Sequence, residues 1–121
     1  MQIWTSYYAK MRLLYFDYAV VAISNSVPKW FPYDLETLPE VYPGWDLVMG
    51  IKNGNLTSDE YAKRYLKKLM DIDRNKVLDK LKSIHKKHNK DIVLVCYERP
   101  GGFCHRHILG KWLDVGVMEL P

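Results

Sequence analysis

A chain of 121 residues, 48% hydrophobic and 26% charged, has the length of one domain that buries its own core, and its composition excludes a disordered chain. The formal charge of +4 is spread along the chain with a local excess over residues 80–90, which suits an anionic partner without demanding one. No apolar run approaches the roughly 18 residues of a membrane span, and the opening Met-Gln-Ile-Trp lacks the charged and apolar regions of a signal peptide. The expectation is therefore a cytoplasmic protein with no membrane contact, in which Cys96 and Cys104 are free thiols rather than a bridge.

Residues 1–5 read as a first strand with the hydroxyls of Thr5 and Ser6 at its carboxyl end, followed by Tyr7-Tyr8-Ala9-Lys10. The apolar positions of 11–18 fit a helix and an ordered loop equally. Residues 19–23, all apolar, predict a second buried strand, ended by the polar turn Ser24-Asn25-Ser26 and by Pro28, which cannot continue a central ladder. Residues 28–55 hold four prolines, five aromatic residues (Trp30, Phe31, Tyr33, Tyr42, Trp45) and Gly44, Gly50 and Gly54. Such a segment is too irregular for a long helix and too apolar for a linker, so it predicts a packed excursion over one side of the sheet. Its rings are read as mainly core, with base or sugar stacking as the alternative for one of them.

Thr57-Ser58-Asp59-Glu60 is a capping-box signal, and Tyr61, Tyr65, Leu66 and Leu69 follow it on a helical face. Asp73 caps a second helix that turns Val77, Leu78, Leu81 and Ile84 inward and leaves its lysines, His85 and His88 to water. Ile92-Val93-Leu94-Val95-Cys96 is continuously apolar and mostly β-branched, the pattern of a strand buried on both faces of a parallel sheet. Pro100-Gly101-Gly102 breaks it, and from Cys104 the spacing of Ile108, Leu109, Trp112 and Leu113 predicts a helix. A last strand is expected within 115–120. Strands alternating with helices predict one α/β domain over residues 1–121, three layers deep, with a mainly parallel sheet and helices on both faces.

In such sheets ligands sit at the carboxyl ends of strands, where loops feed helix N-termini. A thiol at a helix N-terminus beside a histidine and an arginine is where the dipole and nearby cations favour the thiolate, which makes Cys104 a candidate nucleophile or anion-site member. The plainer reading is a small apolar residue closing a helix cap. Arg106 is placed to hold a phosphate or carboxylate bidentately, or else to make a structural salt bridge. His105 and His107, two apart, face different sides of the helix, so one is a candidate acid or base and the other structural or solvent-facing. Zinc is a lesser reading: Cys104 and His107 at i and i+3 share a face, with Cys96 or a distant histidine to help, but no CxxC or HxxxH pair occurs. A bridge between Cys96 and Cys104 needs their α-carbons within about 7 Å across a strand end and a helix start.

The pieces Ile3-Trp-Thr-Ser-Tyr-Tyr-Ala-Lys10, Ile23-Ser-Asn-Ser-Val-Pro-Lys-Trp-Phe31, Asn55-Leu-Thr-Ser-Asp-Glu-Tyr61 and Val95-Cys-Tyr-Glu-Arg-Pro-Gly-Gly-Phe-Cys-His-Arg-His107 span most of the chain in order. With them the chain resembles the domain-of-unknown-function 488 family, the last piece being the specific one. The resemblance implies a small α/β fold with Cys-His-Arg at a helix start as its signature, and it implies no established reaction. Members of that family commonly carry an arginine where this chain has Asn25, which removes one charge from any anion site there.

Together these readings predict that residues 5–10, 24–26 and 98–106 meet at the carboxyl edge and bind a phosphate-bearing small molecule, a nucleotide or a nucleic-acid end. Arg106, the amides of Gly101 and Gly102, Thr5, Ser6, Tyr8, Lys10 and Asn25 would hold it, and Cys104 or His105 with Glu98 would do any proton or nucleophile work. The rival is a non-catalytic nucleic-acid or protein interaction module in which the motif only pins the helix.

Overall fold

Burial along Ile92–Cys96 is complete, and in the computed structural model, which describes residues 1–97 and 104–121, this strand (β4) is the centre of the sheet. It pairs in parallel with Ile3–Tyr7 (β1) on one side and Ala19–Ala22 (β2) on the other, so that Ile92 lies opposite both Ile3 and Ala19. Two-residue strands Glu36–Thr37 (β3) and Met118–Glu119 (β5) complete the order β3-β2-β4-β1-β5, every pair parallel.

The period of two along each strand divides the core. Ile3, Val21, Leu94 and Cys96 face one cluster, with Leu47 of Trp45–Lys52 (α2), Tyr65 and Leu69 of Ser58–Met70 (α3), Val77 and Leu81 of Arg74–His88 (α4), and Leu109 and Leu113 of Arg106–Leu113 (α5). Val20, Ala22, Val93 and Val95 face the other, with Tyr8 and Met11 of Tyr8–Leu14 (α1) and Phe31. Helices thus cover both faces of a three-layer α/β domain, as the pattern predicts. No helix among the described residues is long and apolar enough to cross a membrane.

Several local expectations change. Parallel pairing carries β1 on to Tyr7, opposite Cys96, and the ambiguous segment 11–18 divides: a helix that starts at Tyr8, with Tyr8 and Met11, three apart, on its buried face, runs to Leu14, and Tyr15–Asp17 form a 3-10 turn. The excursion 28–55 contains β3 and α2 and serves both faces, with Phe31 in one cluster and Leu38, Val41 and Leu47 in the other. The capping box at Thr57 forms, Glu60 N–H donating to Thr57 Oγ1 at 3.1 Å and Thr57 N–H to Glu60 Oε1 at 3.1 Å, worth about 1 kcal/mol. Leu66 is exposed, because the buried stripe of α3 runs through Tyr61, Tyr65 and Leu69 and leaves the next position outside it. His85 and His88 are not simply solvated: His85 Nδ1 lies 2.8 Å from Lys90 O, and His88 Nε2 lies 3.0 Å from Glu36 Oε1. The final helix begins at Arg106, so Cys104 precedes it by two residues.

Candidate functional site

Because every strand runs the same way, the ends of β1, β2 and β4 open on one edge, the position expected of a binding crevice. An open cleft of about 360 Å³ lies there. Its wall is built from Ser24, Asn25 and Ser26 after β2, Cys96 and Tyr97 at the end of β4, and Cys104 and His105 before α5. Trp45, Val48 and Lys52 of α2 and Tyr61 of α3 close the opposite side.

Cys96 and Cys104 are joined as a disulfide, with α-carbons 7.2 Å apart, which overturns the expectation of free thiols. Cys96 belongs to the cluster packed under α5, and the return of the chain to that helix brings the second sulfur to it. Sequence separation alone says nothing of such an approach.

His105 is buried, 5% exposed. A carbonyl only accepts, so the 2.7 Å contact of its Nε2 with Ile23 O places the proton on Nε2 and leaves the lone pair on Nδ1. That lone pair stands 3.8 Å from Cys104 Sγ. Burial, with the neighbouring Arg106 charge adding to it against the Ile23 hydrogen bond, lowers the His105 pKa to about 4. The imidazole is neutral at pH 7. Its ring meets Tyr65 edge-on at 5.2 Å, and Tyr65 in turn donates to Val41 O at 2.7 Å.

Arg106 turns the other way. It is fully buried, and its Nε and Nη2 donate to the two carboxylate oxygens of Glu119 at 3.0 and 2.9 Å. Its Nη1 donates to Cys96 Sγ at 3.2 Å. Glu119 also accepts from Thr5 Oγ1 at 2.5 Å. Burial pushes the Glu119 pKa up, but the hydrogen bonds from Arg106 and Thr5 outweigh it and hold the carboxyl below its ordinary value. Arg106 is thus engaged by an internal carboxylate instead of facing the cleft as the sequence leads one to expect. The cause is β5, which brings Glu119 alongside Thr5.

The other predicted residues divide. Asn25 lines the cleft; its Oδ1 accepts from Gly44 N–H at 3.0 Å, while its Nδ2 is buried without a hydrogen-bond partner among the described residues. Gly44 has φ +91, and a Cβ there would stand 2.7 Å from Asp46 Oδ1, so this residue at the start of α2 is held to glycine. Tyr8 stands behind the cleft: Ser24 Oγ donates to Ser26 O at 2.7 Å, so the Tyr8 hydroxyl donates to Ser24 Oγ at 2.6 Å. Burial raises the Tyr8 pKa and keeps that proton in place. Ser6 Oγ is buried with no partner among the described residues. Thr5 is taken up by Glu119, and Lys10 Nζ donates to Leu120 O at 3.1 Å and to Pro121 O. Neither Thr5 nor Lys10 lines the cleft. Glu98, Gly101 and Gly102 lie outside the described residues.

His107 is exposed and lines a separate hollow with Lys111 and Asp114, so its expected pairing with Cys104 on one face does not form. The donors that do gather are Cys96, Cys104 and His105, all buried and within 4.8 Å of one another. Lys52 and Tyr97 are not singled out by sequence as site residues, while Trp45 belongs to the set of rings for one of which stacking is the alternative reading. A further signal in α2 is that Trp45, Val48 and Lys52, at spacings of three and four, share a helical face.

A family model described as DUF488-N3a, active DUF488-N3 subclade, matches residues 10–115. No curated protein and no solved structure matches.

Proposed function

The chain belongs to the DUF488-N3a family, and on that premise we propose that the carboxyl-edge cleft binds a phosphate-bearing small molecule, a nucleotide or a nucleic-acid end, against a reacting wall of Cys104 and His105. The observation that carries this reading is the convergence of the Cys104–His105 pair with a cleft of about 360 Å³ at the ends of β2 and β4, a size suited to a small ligand. Lys52 supplies the positive charge that Asn25 does not, and the Asn25 amide with the Ser24 and Ser26 hydroxyls supplies hydrogen bonds. Trp45 and Tyr97, both about half exposed, offer faces on which a base stacks. In the reduced, metal-free chain the His105 lone pair is placed to accept the Cys104 thiol proton. The description of the family as an active subclade supports chemistry over adhesion.

The second reading, an interaction module in which the motif is structural, is favoured at Arg106, whose guanidinium is held by Glu119. Calorimetric titration of the reduced protein with nucleoside 5′-monophosphates and a 5′-phosphorylated oligonucleotide separates the two. The cleft reading expects saturable binding weakened about tenfold by Lys52→Ala and by Trp45→Ala, the scale of one lost charge contact or stacked ring. Binding that ignores both substitutions, or that falls steeply with salt and depends on the lysines of 80–90, overturns it.

A further inference from the structure

We propose that in the reduced chain Cys96, Cys104 and His105 form a three-donor site for a tetrahedral divalent ion of the zinc type, with its fourth position open to the cleft. Capture of the ion is independent of the reading of the cleft as a ligand site; only what the open position faces rests on that reading.

The donor chemistry is that of zinc, which takes thiolate sulfur and imidazole nitrogen in tetrahedral geometry. Two sulfurs and one imidazole nitrogen lie within 4.8 Å of one another. The His105 Nδ1 to Cys104 Sγ separation of 3.8 Å is close to the roughly 3.5 Å between an N and an S ligand on one tetrahedral ion. The 7.2 Å between the Cys96 and Cys104 α-carbons is wider than the roughly 4.4–6.8 Å of most disulfides, and it suits two thiolates sharing an ion about 2.3 Å from each.

The surroundings of the three donors match those of a ligating set. A metal-bound histidine donates its other ring N–H to a carbonyl or carboxylate, which fixes tautomer and direction; here Nε2 donates to Ile23 O at 2.7 Å and presents Nδ1 to the sulfurs. A ligating thiolate is steadied by an N–H donor, and Arg106 Nη1 donates to Cys96 Sγ at 3.2 Å. Arg106 is itself fixed by Glu119, so its charge is balanced before the ion arrives. Zn²⁺ with two thiolates and a neutral imidazole is uncharged overall, which a buried site tolerates. The described residues supply three donors, and all three line the cleft. Three protein ligands with one free position is the arrangement of metal sites that bind a water or a substrate atom. The disulfide and the ion use the same two sulfurs, so oxidation empties the site.

The test is anaerobic titration of the fully reduced protein with Co²⁺, read by absorption, and then with Zn²⁺, read by displacement of the cobalt. The expected result is one ion per chain with tetrahedral d–d bands and a sulfur-to-cobalt charge-transfer band. Cys96→Ser and Cys104→Ser should lose the charge-transfer intensity of one sulfur each and weaken binding at least a hundredfold. Arg106→Lys should weaken it on the order of tenfold. If a cysteine variant fails to fold, wild-type protein decides: Zn²⁺ should slow the reaction of both thiols with Ellman's reagent. Free reaction of both thiols in the presence of Zn²⁺, or cobalt spectra without sulfur character, overturns the proposal. Loss of nucleotide binding with the ion still captured would instead overturn the ligand reading and leave the metal site standing.

Discussion

Two sides of the same helix start differ in how their polar groups are spent. On the β5 side, Arg106, Glu119 and Thr5 close on one another, the guanidinium buried and bound at both carboxylate oxygens of the partly exposed Glu119. On the cleft side, His105 keeps a lone pair, and the Cys96 and Cys104 sulfurs stand beside it at the wall of a cavity. Cys104, His105 and Arg106 are consecutive in sequence, yet the first two face the cleft and the third faces away from it. A contiguous motif therefore divides between the cleft wall and the fold, and substitution separates the two by effect.

The largest effect should come from the closed side. Glu119→Ala leaves the Arg106 guanidinium buried without its carboxylate, which costs about 3–5 kcal/mol, read as a lower urea midpoint with unchanged slope. If Glu119→Ala costs under about 1 kcal/mol, the pair behaves as a solvent-exposed bridge and the contrast between the sides fails.

Next comes the pH response of His105. Its folded pKa of about 4 lies below the ordinary 6.5, so the unfolded chain binds more protons in this window. Its contribution is fully present above about pH 6.5 and is lost as the pH falls toward about 4, on the order of 3 kcal/mol in total. Unfolding curves of the wild type and His105→Gln across this range should converge in acid by about that amount. Parallel curves would mean that the imidazole is not held neutral.

The smallest effect belongs to Lys10, a residue that sequence places in the ligand site and the structure ties to the backbone of Leu120 and Pro121. Lys10→Ala should change ligand affinity less than about twofold and stability by under about 1 kcal/mol. A large loss of binding would return Lys10 to the cleft.

What sequence shows and what it hides follow from the range of the interactions involved. β4 is legible because five consecutive apolar residues are buried on both faces, and α3 because its capping box is contained within four residues. The layered parallel sheet follows from the alternation of such segments. α2 is hidden among prolines and glycines, since its start depends on Gly44 at positive φ held by the distant Asn25 side chain. The disposition of Arg106 depends on β5 lying beside β1, a contact across most of the chain that no local pattern encodes. The same holds for the meeting of Cys96 with Cys104 and for the choice between His105 and His107: periodicity sets them on different sides but does not say which side is buried.

The central claim, that the motif's cysteine and first histidine serve the cleft while its arginine serves the fold, is tested most directly by a crystal structure of the reduced protein soaked with a nucleoside 5′-monophosphate. The account predicts the phosphate within hydrogen-bond reach of Lys52 and Asn25, the ligand against Cys104 and His105, and Arg106 still paired with Glu119. A phosphate held by Arg106 with the Glu119 pair broken, or a ligand bound away from the cleft, would contradict it.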